Sequence, residues 1–235
     1  VPCSGTGLME AAVRNGATNR VLSLVNGAFS KRFADIAQYC GLEVDEVSVP
    51  WGEAQDPDRV AAELSRRKYD AVTVAHSETS TGVLNHLKEI SEVVHQREGT
   101  LLLVDSVSGA AGAELQTDAW GLDFVLTGGQ KAFSVPPGIS FGVASNQMIE
   151  RSKQVDSKGY YFDLVRYSEN IEKLQTPTTP PLSTLFALQV QLQIMQTETM
   201  ESRWARHQAM AERTWGWVEE MNSVGVQLKV VAAEG

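Results

Sequence analysis

Two charged residues, Asp105 and Lys131, follow apolar runs of the kind that form buried strands. Asp105 comes directly after Thr100-Leu101-Leu102-Leu103-Val104. A carboxylate there is costly to desolvate unless a positive group faces it, and a pyridinium nitrogen is a suitable partner. Lys131 lies between Gly128-Gly129-Gln130 and Ala132-Phe133, which predicts a buried amine in the neutral form that attacks an aldehyde. Taken singly, Asp105 fits a loop-capping role equally well, and most lysines are solvated.

The segment Ser4-Gly5-Thr6-Gly7 precedes an apolar helical pattern and suits a phosphate group. Glycines let backbone amides approach an anion, hydroxyl groups add hydrogen bonds, and a helix N-terminus favours negative charge. By itself such a segment is more typical of a turn followed by a helix cap. It has neither the Gly-Lys-Ser/Thr ending of a P-loop nor the strand and glycine pattern of a dinucleotide-binding fold.

The three features together are far more specific than any one of them. A phosphate cradle, a carboxylate for a ring nitrogen and an amine for an aldehyde match the three functional groups of pyridoxal 5'-phosphate. Loops that follow parallel strands meet at one edge of a sheet, so we expect these residues to converge there. The sequence therefore predicts a pyridoxal-phosphate site, and it predicts no metal site.

Five motifs, in their order along the chain, resemble those of the class V aminotransferases. They are Ser4-Gly5-Thr6-Gly7, Asn26-Gly27-Ala28-Phe29-Ser30-Lys31-Arg32, His76-Ser77-Glu78-Thr79-Ser80-Thr81-Gly82, Asp105-Ser106-Val107-Ser108 and Gly129-Gln130-Lys131. Within this class the chain is most similar to the alanine–glyoxylate, serine–glyoxylate and serine–pyruvate group. The resemblance runs from Ser4 to about Leu185, and the motifs in combination are highly specific.

The resemblance implies a set of residues around the phosphate of the cofactor. Ser4, Gly5 and Thr6 would hold it, joined by Gln130. Thr179, in Gln175-Thr176-Pro177-Thr178-Thr179-Pro180, matches a family residue that reaches the phosphate of the neighbouring subunit. The expected partner is therefore a second copy of the chain, in a homodimer whose active sites are shared across the interface.

The resemblance also implies roles around the pyridine ring. Phe29 would stack on one face of the ring and Val107 would pack on the other. Thr79 would hydrogen-bond the ring hydroxyl, Asp105 would pair with the ring nitrogen, and Lys131 would form the internal Schiff base. Lys131 and Asp105 are thus the expected catalytic residues.

Three other residues near these motifs receive no catalytic role. His76 and Glu78 are interpreted as braces of the loop that carries Thr79. Trp51, which follows Pro50, is interpreted as covering an edge of the sheet rather than lining the pocket.

Apolar runs that alternate with helical patterns predict the elements that position these residues, in an α/β fold with a mostly parallel sheet covered by helices. The predicted strands are 20–25, 43–49, 69–76, 100–105, 124–127 and 139–144. The predicted helices are 7–15, 30–39, 56–67, 84–97 and 147–155, followed by one long helix or two joined helices over 183–221. Residues 168–183 are polar and Pro-rich and predict a loop. The resemblance implies the large domain of the fold-type I transferases, with a sheet of the seven-stranded type.

The predicted domain organisation has three parts. Residues 1–182 form the cofactor-binding large domain, 183–223 a long linking helix, and 224–235 the start of a C-terminal small domain. Both ends of the sequence are interpreted as cut. The family's arginine for the substrate carboxylate would lie in that C-terminal domain, beyond Gly235.

Composition excludes several other kinds of partner. The formal net charge is −9 and the pI is about 5.0, which argues against general binding to nucleic acid or to an anionic membrane, although not against a small anionic ligand. No apolar run approaches the ~20 residues that span a bilayer. Cys3 and Cys40 form no disulfide framework, and this favours a reducing, cytoplasmic location.

The resemblance implies an enzyme that moves an amino group from alanine or serine to glyoxylate or pyruvate. Two relatives of the same fold are alternatives, a cysteine desulfurase and 2-aminoethylphosphonate–pyruvate aminotransferase. They usually have His or Asn before the lysine, where this chain has Gln130. The third alternative is a cofactor-free interaction module.

Overall fold

A six-stranded sheet forms the centre of the computed structural model, which describes residues 1–156 and 158–232. The strands are β1 (Arg20–Val25), β2 (Glu43–Ser48), β3 (Ala71–Ala75), β4 (Ser77–Glu78), β5 (Val83–Leu84), β6 (Leu101–Asp105), β7 (Phe124–Gly128) and β8 (Ser140–Ala144). The sheet has the order β2-β1-β3-β6-β7-β8, whereas β4 and β5 form a separate antiparallel pair. Every pairing in the large sheet is parallel except β7 with β8.

Helices connect the parallel strands and cover both faces of the sheet. They are α1 (Gly5–Gly16), α2 (Ala28–Tyr39), α3 (Pro57–Arg66), α4 (Leu87–Val94), α5 (Asn146–Lys153), α6 (Leu164–Glu172), α7 (Leu182–Glu198) and α8 (Met200–Ser223). α3 shows the local signals that start a helix: Asp56 accepts a hydrogen bond from the amide of Asp58 at 2.9 Å, and Pro57 occupies the first position. No helix of the described chain is long and apolar enough to cross a membrane.

The core has two halves because successive side chains of a strand point to opposite faces of the sheet. In β6, Leu101 and Leu103 pack with α1 on one face. Leu102 and Val104 pack with α4 on the other face. All five residues of β6 are buried, as expected for a parallel strand covered on both sides.

The predicted α/β fold with a mostly parallel sheet is confirmed, and the sequence-based boundaries of its strands agree with the structure to within about two residues. The described residues contain six strands in the main sheet rather than seven. The hairpin of β4 and β5 was not predicted, because strands of two residues have no recognisable periodicity.

Two helical regions also differ from the sequence-based prediction: the helix predicted over 84–97 covers only Leu87–Val94, and α6 was not predicted. The predicted loop over 168–183 begins only after α6, whose first turn is capped by Asp163 through hydrogen bonds from Val165 and Arg166. Residues 183–221 form two joined helices, the second of the two predicted alternatives, since Thr199 has a φ of 66° and its hydroxyl caps α8. The division into large domain, linking helix and small domain stays a prediction, and residues 233–235 of the last part lie outside the described residues.

A buried carboxylate ties together the ends of β6 and β7. Asp123 is 3% exposed and accepts hydrogen bonds from the amide of Leu102 at 2.9 Å and from the hydroxyl of Ser145 at 2.9 Å. His95 Nε2 lies 3.1 Å from the same carboxylate. Asp123 therefore links α4, the sheet and the start of α5.

The hydrogen bonds around His95 show that both of its ring nitrogens donate. The hydroxyl of Ser91 donates its only hydrogen to the carbonyl of Trp120 at 2.6 Å, so at the 3.1 Å contact with His95 Nδ1 it must accept. The hydrogen bond with Asp123 raises the pKa of His95 and outweighs the opposing effect of burial. The imidazolium is thus the form that this pocket stabilises.

We expect His95→Gln to reduce stability in a pH-dependent way. Because the folded-state pKa of His95 is raised, its stabilising effect is fully present below the unfolded pKa of about 6.5 and is lost as the pH rises through the folded pKa. Urea unfolding should show a deficit of ~0.5–1 kcal/mol at low pH, the size expected for a partly exposed ion pair. His86→Gln, at an exposed position just before α4, is the control. An equal deficit at every pH would contradict the imidazolium assignment.

Candidate cofactor site

A cavity of about 240 Å³ lies at the C-terminal edge of the sheet, among the loops that follow β3, β6 and β7 and the first turns of α1 and α2. Its lining consists of Ser4, Gly5, Thr6, Met9, Phe29, Arg32, Thr79, Asp105, Val107, Gln130 and Lys131. Nine of the ten residues that the sequence predicted for a cofactor are in this set. The structure brings them together, and their individual roles stay predictions.

Asp105 places a buried carboxylate in the cavity wall. It is 5% exposed, and its Oδ1 accepts one hydrogen bond, from the amide of Val107 at 2.9 Å. Burial raises the pKa of Asp105 to about 6; the negative charge of Glu78 adds to this, whereas the Val107 amide and the cations Arg32 and Lys131 oppose it. Among the described residues nothing donates a hydrogen bond to Oδ2. A positively charged N–H group in the cavity fits this oxygen.

The first turn of α1 provides free donors at another wall of the cavity. Within the described part of the chain, the amides of Gly5 and Thr6 make no hydrogen bond, and the side chain of Ser4 does not cap the helix. A Cβ on Gly5 would lie 2.4 Å from Val107 Cγ2, so only glycine fits between helix and loop. Free amides at a helix N-terminus together with the hydroxyl groups of Ser4 and Thr6 suit a phosphate.

Lys131 lines the cavity, but the prediction that its side chain is buried is wrong. The structure places it at an exposed position after β7. The glycines before it serve the packing of the following turn instead: a Cβ on Gly129 would lie 2.6 Å from Val135 Cγ2. The turn closes with a hydrogen bond from the Ser134 amide to the Lys131 carbonyl at 2.8 Å. The amine therefore faces the cavity from an open side.

Glu78, at the end of β4, holds α2 in place from beneath the cavity. It is fully buried, and its carboxylate accepts hydrogen bonds from the amide and hydroxyl of Ser30, both at 2.8 Å, from the hydroxyl of Ser80 at 2.8 Å and from the amide of Phe29 at 3.2 Å. Burial opposes ionisation, but the hydrogen bonds from Ser30 and Ser80 outweigh it and lower the pKa of Glu78. This carboxylate caps α2, because the residue at the cap position, Gly27, has no side chain.

His76 and Thr79 connect the loop after β3 to the loop after β6. His76 Nδ1 lies 2.9 Å from the hydroxyl of Ser106, and burial lowers the pKa of His76 to about 4, so the ring is neutral. Thr79 Oγ1 lies 2.5 Å from the hydroxyl of Ser108. These contacts agree with the interpretation of His76 as a brace, and they fix Thr79 beside the loop of Asp105.

Two residues of the cavity wall, Met9 and Arg32, received no role from the sequence. The helical spacing could have indicated both, since Met9 is four residues after Gly5 and Arg32 three after Phe29. The Arg32 guanidinium carbon lies 4.7 Å from the centroid of the Phe29 ring, and its Nη1 lies 3.4 Å from Thr6 Oγ1. The cavity thus has a second cation besides Lys131.

Thr179 and Trp51 lie away from this cavity. Thr179 is the one predicted cofactor residue outside it, at an exposed position between α6 and α7. Its predicted role belongs to the site of a neighbouring subunit and stays a prediction. Trp51 is 64% exposed and does not line the cavity, and its predicted role in covering an edge of the sheet stays a prediction.

Comparison with known proteins identifies the family. The aminotransferase class-V profile matches residues 13–234. The chain belongs to this family. Its fold closely resembles the crystal structure of an alanine–glyoxylate aminotransferase from Nostoc sp., with a TM-score of 0.90, 30% identity and coverage of 98% of this chain and 61% of the other.

Two curated relatives show how broad the names within this family are. The chain is 37% identical to a protein of Synechococcus sp. named soluble hydrogenase, small subunit, over 93% of this chain and 58% of that protein. It is 34% identical to alanine–glyoxylate aminotransferase 1 of Saccharomyces cerevisiae, over 90% of this chain and 57% of that protein. The chain thus spans somewhat more than half the length of these relatives. Among the described residues, no group of three or more His, Cys, Asp or Glu side chains could hold a metal ion.

We expect Glu78→Ala to destabilise the chain by about 2–4 kcal/mol, because it leaves several buried donors of α2 and Ser80 without their charged acceptor. Chemical unfolding measures the loss. Glu89→Ala, an exposed Glu in the first turn of α4, is the matched control and should change stability by less than about 0.5 kcal/mol. Equal stability of the two variants would show that Glu78 does not anchor α2.

Proposed function

We propose that the protein to which this chain belongs is a pyridoxal-phosphate-dependent aminotransferase. In this proposal it moves an amino group from alanine or serine to glyoxylate or pyruvate, with Lys131 as the covalent attachment point of the cofactor. The observation that supports it most is one cavity that combines a buried carboxylate at Asp105, an amine at Lys131 and the free amides of Gly5 and Thr6. Two similar proteins are named alanine–glyoxylate aminotransferases, and these names favour a small amino acid and glyoxylate as the substrates.

Asp105 would set the charge of the cofactor ring. The bound cofactor supplies an electron sink for the pair of electrons left on the substrate α-carbon. A cationic N–H opposite Oδ2 would favour the ionised form of Asp105, whose pKa burial otherwise raises to about 6. The ionised carboxylate would then keep a proton on the ring nitrogen, and this proton would make the ring a better electron sink.

Lys131 would have two successive tasks. Its Nζ would hold the cofactor covalently at the aldehyde carbon, with loss of water. Once the amine of the substrate had replaced it there, the freed Nζ could remove the α-proton as a base and return it as an acid, because Lys131 lines the cavity. The exposed approach to Lys131 leaves room for a substrate.

We also propose that the protein is a cytoplasmic homodimer in which Thr179 reaches the phosphate of the neighbouring subunit. α7 begins three residues after Thr179, and four of its apolar side chains, spaced by four residues, are more than half exposed: Leu182, Phe186, Val190 and Ile194. An apolar stripe of this kind is normally covered by another surface, and a second subunit suits its position beside Thr179.

Gln130 argues against the two alternatives of the same fold. Gln130, the residue before the lysine, lines the cavity, so its side chain bears on what the cavity binds. Cysteine desulfurases typically have His at this position and phosphonate aminotransferases Asn, and this chain has neither. A cofactor-free interaction module is distinguished by experiment, because such a protein would form no imine with pyridoxal phosphate.

We expect borohydride reduction of the full-length protein with pyridoxal phosphate to attach the cofactor to the peptide that contains Lys131. Lys131→Ala should abolish this attachment and keep the fold, because the exposed side chain packs into no core. Peptide mass spectrometry locates the label, and circular dichroism checks the fold. Labelling that persists in Lys131→Ala would refute the assignment of the lysine.

We expect Asp105→Asn to slow loss of the α-proton by about two orders of magnitude or more, since it removes the charge that stabilises the protonated ring. Single-turnover spectroscopy with alanine and with serine measures this half-reaction in the full-length protein. Asp118→Asn, a substitution of the same chemistry outside the cavity, is the control. Half-reaction rates equal to the wild-type rates would mean that Asp105 faces something other than the ring nitrogen.

A further inference from the structure

Arg32 is a cation of the cavity for which neither the motifs nor the comparisons provide a role. It lies in the second turn of α2 and lines the cavity with Ser4, Gly5 and Thr6. Its Nη1 is 3.4 Å from Thr6 Oγ1. The guanidinium is therefore next to the free amides and hydroxyl groups that suit a phosphate.

The guanidinium of Arg32 has no acidic partner among the described residues, unlike the cation next to it. Lys31 lies 2.5 Å from a carboxylate oxygen of Asp35 and 3.0 Å from one of Glu46. No carboxylate of the described chain lies within 4 Å of Arg32. Its charge is instead held over the ring of Phe29, at 4.7 Å from the centroid, a cation–π contact that orients the guanidinium and leaves its N–H edges available.

The charge of a phosphate monoester favours a cation beside the amides. It carries roughly −1.5 to −2 at pH 7, whereas a helix N-terminus provides only about half a positive charge. Of the two cations that line the cavity, Lys131 is assigned to the aldehyde, and Arg32 is the other. A guanidinium forms strong, charge-assisted hydrogen bonds to phosphate oxygens.

We propose that Arg32 binds the phosphate of the cofactor and completes the cradle formed by Ser4, Gly5 and Thr6. This inference rests on the proposed function, because it takes the ligand to be pyridoxal phosphate. It assigns to Arg32 a binding role that depends on the phosphate group and not on the pyridine ring. If Arg32 only packed on the ring of Phe29, or bound the carboxylate of a substrate, its effect on cofactor binding would not depend on the phosphate group.

The test compares two aldehydes, pyridoxal phosphate and pyridoxal, which differ only in the phosphate. Dissociation constants are measured from the imine absorbance of the full-length apoprotein in the wild type, Arg32→Gln, Arg32→Lys and Lys31→Gln. The last variant removes a cation from the same turn of α2 that does not line the cavity. Circular dichroism and the binding of pyridoxal itself show whether each variant is folded.

We expect Arg32→Gln to weaken pyridoxal-phosphate binding by about tenfold to a hundredfold, as for the loss of a charge-assisted hydrogen bond, and to change pyridoxal binding by less than about twofold. Arg32→Lys should lie between the wild type and Arg32→Gln, and Lys31→Gln should leave both constants unchanged. Inorganic phosphate should compete with pyridoxal phosphate in the wild type and compete less well in Arg32→Gln, by a similar factor.

Three results would overturn the inference. Equal weakening for both aldehydes would place Arg32 at the ring or at Phe29. Unchanged binding of both aldehydes with a raised KM for the amino acid would place it at the substrate carboxylate. In either case the wild type still forms the imine at Lys131, so the proposed function survives. A wild type that forms an imine with neither aldehyde would refute the proposed function together with the role of Arg32.

Discussion

The burial of the Asp105 carboxylate at the end of β6 is the constraint on which the site depends. All five residues of this strand are buried between helices, so the acid that ends it has lost most of its water, and its pKa rises to about 6. A single hydrogen bond from Val107 does not compensate for that loss. A cationic group of a ligand in the cavity would offset this loss further, and the amine of Lys131 and the amides of Gly5 and Thr6 are the other groups that our proposal uses.

A second buried carboxylate, Glu78, differs from Asp105 because the protein itself provides several hydrogen-bond donors to it. The amides and hydroxyl groups around Glu78 outweigh its desolvation and lower its pKa, whereas the pKa of Asp105 is raised. Glu78 thus anchors the start of α2, the helix that contains Phe29 and Arg32. The two acids therefore differ in role: Glu78 positions α2 in the wall of the cavity, whereas Asp105 has an oxygen available to a ligand. Burial alone does not distinguish them; the number of donors does.

The parts of this structure that could be predicted from sequence are those with strong local signals. Long apolar strands such as β6 and the capped start of α3 were predicted to within about two residues. The order of the motifs predicted which residues line the cavity without any information on distances. The rest depends on contacts between distant segments. The hairpin of β4 and β5 lies against α2, where Glu78 accepts a hydrogen bond from the amide of Phe29. The break between α7 and α8 falls at Thr199, which has a φ of 66°, and the local sequence around Lys131 does not indicate its exposure.

The charge of the whole chain gives no guide to the charge of the ligand at this site. The chain has a net charge of −9, but the cavity wall contains Lys131, Arg32 and the N-terminal amides of α1 opposite a single acid, Asp105. Exposed charges farther from the cavity than roughly 8 Å are largely screened in physiological salt, and some acidic side chains have a cation beside them, as Asp35 and Glu46 have Lys31. The groups that line the cavity therefore bear more on the ligand than the net charge does, and in our proposal a phosphate binds where the amides of Gly5 and Thr6 meet Arg32.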